Sequence, residues 1–125
     1  MQFSDLEQLL AIAKEKQRID QGNDWSNGSS TYLAELAKEV VEVQEEVELQ
    51  RPPYLEEELG DVLWDYLNLL LCLGDEGKVD LDRLFARAAN KYRERIDGIQ
   101  AGDSWDRIKQ RQKQRLAAEF SAVSG

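Results

Sequence analysis

Between Leu59 and Leu73 the chain is apolar on nearly every side, as a helix buried in a core is, yet Glu58, Asp61, Asp65 and Asn68 cut through the stretch. Their spacings of three, four and three put all four on one face of a helix. This limits the fold more than any other feature. Leucines on several sides ask for enclosure by other helices, and carboxylates on the remaining side ask for a counter-charge.

The rest of the sequence supplies helices for that enclosure. In 125 residues there are only two prolines and eight glycines, and most of the residues between them are good helix formers. No alternating strand pattern and no repeat is present, so an all-α bundle is expected, a single domain over 1–125 with its core at about 1–98 and a tail or helix at 99–125. Ser4-Asp5-Leu6-Glu7 reads as a capping box opening a first helix to about residue 19. A Gly/Asn/Ser loop with Trp25 follows. A second helix, about 31–49, carries a seam of Leu33, Leu36, Val40, Val43 and Val47, and Arg51-Pro52-Pro53-Tyr54 stops it. The acid-cut stretch is the third helix, about 55–73. Asp80 is placed to cap a fourth, about 81–96, with Leu81, Leu84, Phe85, Ala88, Tyr92 and Ile96 as its buried face. From Ser104 the sequence is weakly amphipathic and is expected to fray, or to dock only in an oligomer.

Charge and absences narrow the chemistry. With 25 acids against 16 bases the net charge is −9, so no DNA or RNA partner is expected. There is no histidine, which removes Ser-His-Asp and Cys-His catalysis, His-ligated zinc and the Glu-x-x-His di-iron site. Cys72, set among leucines, reads as a reduced, buried thiol. The first residues show neither a basic start nor a long apolar run, and the Leu59–Leu73 run is too short and too interrupted to span a bilayer. A cytoplasmic protein without a membrane partner is expected.

The acidic rung has a counterpart. Glu35, Glu39, Glu42 and Glu46 recur at four, three and four in the second helix, beside the Leu36/Val43 edge of its seam. Like charges at these spacings destabilise a helix, and a solvated face relieves them with interleaved lysines. Surface acids would explain Glu39 and Glu42 taken alone, but not Glu58 and Asp61 inside a leucine-rich helix. Glu39-x-x-Glu42 and Glu58-x-x-Asp61 on antiparallel neighbours can converge on one hard cation, Mg²⁺ or Mn²⁺, since carboxylates without His or Cys suit those ions. Gly60 would let the two backbones approach closely. Asp65, one turn beyond Asp61, is placed behind such ligands or beside a water. Lys91 and Arg95 stand on one flank of the fourth helix with Arg87, at steps of four.

"KEVVEV", then "EEELGDVLWDYLNLLLCLG", "ANKYRERI" and "SWDRIK" resemble the MazG-like nucleoside triphosphate pyrophosphohydrolases of the all-α NTP pyrophosphatase superfamily, over about residues 25–109. The resemblance implies a four-helix core assembled as a homodimer or a homotetramer, with Mg²⁺ held by Glu39, Glu42, Glu58 and Asp61. It implies cleavage of a (deoxy)nucleoside triphosphate between the α- and β-phosphates, usually to clear aberrant nucleotides. Glu39 or Glu42 would act as the base, Lys91 and Arg95 would meet phosphate, and Trp25 would lie near the nucleobase. Trp105 and Lys109 match a tryptophan–lysine pair of the family. The sequence departs at Lys38, where many relatives have a second acid, and at Asn90, which directly precedes Lys91. Three other readings stay open: a phosphoribosyl-ATP pyrophosphohydrolase, a dUTPase-like relative, and a non-catalytic helical module whose acidic stripes bind a basic partner.

Overall fold

The prolines that end the second helix also begin the third. In the computed structural model, which describes residues 1–21 and 28–124, five helices follow one another: α1 (Phe3–Asp20), α2 (Ser29–Leu49), α3 (Pro52–Asp75), α4 (Leu81–Gln100) and α5 (Trp105–Ser124). Gln50 takes the left-handed conformation at φ 53° to close α2, and Pro52 and Pro53 sit in the first turn of α3, where a missing N–H costs nothing. α3 therefore starts three residues earlier than the leucine pattern suggests. The chain divides into two compact units, Met1–Leu81 and Asp82–Gly125.

In the first unit α2 and α3 form a hairpin and α1 packs on α3. Tyr32, Leu69 and Cys72 form the buried cluster, with Leu36 and Leu73 against it. α1 is held there by polar contacts as well. Lys16 Nζ donates to Asp20 Oδ1 (2.8 Å) and to Tyr32 Oη (3.2 Å), and Gln17 Nε2 donates to Cys72 Sγ (3.3 Å). Burial pushes the Cys72 thiol above its ordinary pKa, which keeps it protonated and inert. The seam of α2 is only half used. Leu36 and Val43 are half-buried, whereas Leu33 is 53 % exposed, Val40 48 % and Val47 54 %.

The cap expected at the start of the chain does not form, and the second helix is capped from a distance. α1 begins at Phe3, so Ser4 is already helical and cannot cap, and Gln2 at the cap position makes no side-chain cap bond. α2 reaches back to Ser29 because Glu76, at the far end of α3, caps it from across the unit. Glu76 Oε2 accepts from the Ser29 N–H (2.9 Å) and Oε1 from its hydroxyl (2.8 Å). The Ser29 backbone bond, with Lys78 and the Ser29 hydroxyl, holds Glu76 down at a pKa of about 2.

The second unit is the α4–α5 pair. Gly98 lies so close to Ile108 that a Cβ there would meet Ile108 Cδ1 at 2.5 Å, and Gly102 turns the chain at φ 93°. The Ser104 hydroxyl accepts from the Arg107 N–H (3.1 Å) and caps α5. α5 does not fray. Ile108 is fully buried, and Arg87 Nη2 to Glu119 Oε2 (2.8 Å) and Arg95 Nε to Gln112 Oε1 (2.8 Å) tie its length to α4. The expected buried face of α4 is not realised: Phe85, Tyr92 and Ile96 are 43–55 % exposed, and the buried residue of that helix is Arg95.

Replacing Glu76 by Ala should lower the melting temperature by a few degrees at pH 7 through loss of the cap. Because the folded-state pKa is depressed, the stabilisation is present above about pH 4.5 and lost as pH falls toward 2. The gap between wild type and variant in thermal melts should therefore close over that range; a gap that ignores pH would refute the carboxylate cap.

Candidate metal centre

The α2–α3 hairpin brings the two acidic motifs to the same height. One carboxylate oxygen from each of Glu39, Glu58 and Asp61 lies within 4.8 Å of the other two. Glu42 completes the set differently: its carboxyl is within hydrogen-bond reach of Glu39 and of Glu58 but outside that triad. The outer members of the α2 stripe are relieved in the ordinary way. Lys38 Nζ pairs with Glu35 Oε1 (3.2 Å), and Arg51 Nε with Glu46 Oε2 (3.1 Å). Among the described residues, no lysine or arginine pairs with Glu39, Glu42, Glu58 or Asp61.

The electrostatic result is strain on the anionic form. Burial first, then the neighbouring Glu42 and Glu58 carboxyls, push Glu39 up to a pKa of about 8. Glu58 is raised chiefly by Glu42. Glu39 Oε2 and Glu58 Oε2 are buried oxygens with no hydrogen-bond partner. Hard oxygen donors, unpaired and crowded, fit a small divalent cation, which would remove the repulsion and satisfy the orphaned oxygens together.

The rung continues past the cluster. Asp65 is 7 % exposed, its pKa raised by burial and then by the charges of Glu35 and Asp61, and its Oδ2 has no partner. Asn68 is fully buried; its Nδ2 donates to the Trp64 carbonyl (2.9 Å) and its Oδ1 is left unpaired. Gly60 does not do what its place in the motif suggests. A Cβ built there meets nothing within 4 Å, so within the described chain no backbone approach requires the glycine.

Lys91 and Arg95 belong to the second unit, where they line a groove of about 760 Å³ between α4 and α5. The Arg95 guanidinium lies 4.8 Å from the Trp105 ring centre and 5.4 Å from that of Tyr92. Lys109 and Lys113 line the same groove from α5, and sequence reasoning gave them no role. The signal was there: residues 82–125 carry ten Lys and Arg against six Asp and Glu in a chain whose net charge is −9. Trp25 lies outside the described residues.

A family model described as the MazG nucleotide pyrophosphohydrolase domain matches residues 27–99. The chain belongs to this family. Neither the curated proteins nor the solved structures returned a match. The matched span holds α2, α3 and nearly all of α4, so it takes in both acidic motifs and the Lys91–Arg95 pair, while α1 and α5 fall outside it. The MazG domain is a nucleotide pyrophosphohydrolase, an enzyme of phosphoric anhydride bonds, on an all-α fold. No helix among the described residues is long and apolar enough to cross a membrane.

The crowding gives a pH signature. The folded, metal-free MazG domain keeps a proton on Glu39 up to about pH 8, whereas the unfolded chain releases it above about 4.5. Folding is thus favoured by this group at low pH, and the contribution is lost as pH rises from 4.5 to 8. Thermal melts in EDTA should fall across that window, on the order of 5 °C. Mg²⁺ or Mn²⁺ should restore more stability at pH 8 than at pH 5.5, where it must displace the proton. Melts indifferent to both pH and ion would exclude the cluster as a cation site.

Proposed function

We propose that the protein is a Mg²⁺-dependent hydrolase of nucleoside triphosphates, ribo or deoxy, giving the monophosphate and pyrophosphate, and that it clears unwanted nucleotides in the cytoplasm. The observation that carries this reading is the uncompensated convergence of Glu39, Glu58 and Asp61, with Glu42 against them, inside a MazG domain. In this reading Glu39, Glu58 and Asp61 hold the ion, and Mn²⁺ can replace Mg²⁺. When bound, such an ion neutralises phosphate oxygens and lowers the pKa of water.

The chain's own groups supply the rest. Glu42, beside the triad but outside it, takes the proton of the attacking water, a role Glu39 can fill only where it is not spent on the ion. Lys91 and Arg95 meet phosphate oxygens. Their support is that Lys91 has no carboxylate partner among the described residues and that Arg95 spends its Nε on Gln112, a neutral group. Trp25 is retained as the candidate for the base on the resemblance alone.

Product analysis with each common NTP and dNTP in Mg²⁺ should yield monophosphate and pyrophosphate. Glu58→Gln and Asp61→Asn should each cut turnover by at least about 10²-fold, as loss of a principal electrostatic group does, with helical circular dichroism unchanged. Full activity in either variant would refute the assignment. A panel including dUTP and phosphoribosyl-ATP separates this reading from the two related hydrolases.

A homodimer or homotetramer is the second part of the proposal. Its support is the uncovered apolar surface: Leu33, Val40 and Val47 on α2, and Leu59, Leu63 and Tyr66 on α3, are all more than a third exposed, more than a lone soluble domain leaves open. Light scattering should give twice or four times the chain mass of 14.3 kDa, and Val40→Glu should lower it. A monomer at every concentration would refute assembly.

A further inference from the structure

Every buried side-chain polar atom left without a partner among the described residues is an oxygen of the two polar stripes of α2 and α3: Glu39 Oε2, Glu58 Oε2, Asp65 Oδ2 and Asn68 Oδ1. A cation accounts for the first two. It does not account for Asp65, which lies outside the triad that can share one ion. A second ion there would look to Glu35 for support, and Glu35 is already paired with Lys38. Asp65 sits one helical turn, about 6 Å, past Asp61 along α3, and it feels the charges of Asp61 and Glu35. The residue is more than nine-tenths buried and Oδ2 is sealed from solvent, so leaving Oδ2 unpaired is costly unless a ligand supplies the missing hydrogen bond.

We infer that Asp65 binds a hydroxyl of the substrate's sugar and is a specificity-determining residue. This rests on the nucleotide reading given above. If the phosphates are held at Glu39, Glu58 and Asp61, the next group along the ligand is the sugar, and the next polar side chain along the rung is Asp65. The chemistry selects a hydroxyl over the alternatives. A phosphate is repelled by Asp65 and by its acidic neighbours. A base amino group has only hydrogens to offer and would leave the O–H of a protonated Asp65 without an acceptor. A hydroxyl both donates and accepts, so it pairs with the carboxyl in either protonation state and brings no charge into an acidic site. Asp65 is a neutral reader of the sugar placed beside charged readers of the phosphates.

The test is a set of Michaelis parameters for ribo-, 2′-deoxy- and 2′,3′-dideoxynucleoside triphosphates of one base, on wild type, Asp65→Ala and Asp65→Asn. Wild type should lose about tenfold in kcat/KM when the bound hydroxyl is removed, the size expected for a hydrogen bond to a carboxylate. The step at which the loss appears identifies the 2′ or the 3′ hydroxyl. Asp65→Ala should lose the same factor on the hydroxyl-bearing substrate and none on the one lacking it, so the discrimination vanishes. Asp65→Asn, whose amide oxygen still accepts, should keep most of it. The half-saturating Mg²⁺ concentration should stay unchanged in both variants, and Asp65→Ala should melt no lower than wild type, since it removes an unpaired buried carboxyl.

Three outcomes would overturn the inference. One is wild-type indifference to both hydroxyls while all three nucleotides are cleaved, which leaves the hydrolase reading standing and makes water the partner of Asp65. Another is discrimination that survives in Asp65→Ala. The third is an equal loss on every substrate together with a shifted Mg²⁺ requirement, which would put Asp65 on the ion. A wild type that cleaves no nucleotide would instead remove the nucleotide reading itself, and this inference with it.

Discussion

The first unit is organised around a repulsion. α2 and α3 are brought together by Leu36, Leu69, Leu73 and their neighbours, and the same packing forces Glu39, Glu42, Glu58 and Asp61 to face one another without a cation among them. Apolar contact supplies the attraction and is indifferent to charge, so the hairpin can hold four carboxylates at distances they would not choose in water. The rise of the Glu39 pKa to about 8 is a consequence of burial and of that crowding. A functional site is the ordinary place for such a conflict between local and global preference.

The surrounding structure bears the conflict with few resources. Six hydrophobic residues are buried among those described: Ala13, Tyr32, Leu69, Leu70, Cys72 and Ile108. The first unit is therefore tied by polar links as much as by a core. Lys16, Asp20 and Tyr32 join α1 to α2, Gln17 and Cys72 join it to α3, and Glu76 fixes the first turn of α2. The apolar side chains that a thicker core would enclose are on the surface instead, and the proposed assembly rests on that observation.

Much of this was legible in the sequence, and the misses have physical causes. The prolines were visible as a break but not as the first turn of α3, because proline at that position ends one helix and starts another equally well. The capping box at Ser4 failed because helix starts are decided within one residue, and a start at Phe3 makes the serine helical. The cap that does form at Ser29 comes from Glu76, 47 residues away, and no local pattern encodes it. Gly60 looked like a packing residue and meets nothing in the described chain. On α4 the periodicity marked an apolar face correctly, but an apolar face is buried only where something covers it.

The sequence alone determined that the chain is helical, through its composition and its three-and-four spacing, and that acids share one face of the third helix, because helical period follows from backbone geometry alone. It also carried the MazG motifs, which are local strings. Which acids meet was decided by the tertiary structure. Glu39, Glu58 and Asp61 close on a single point, Glu42 stands to one side, Glu35 and Glu46 find cations, and Asp65 is sealed in with an unpaired oxygen. All seven belong to the same two stripes in the sequence. They differ in the register of α2 against α3, which fixes distance, burial and partner, and so fixes charge.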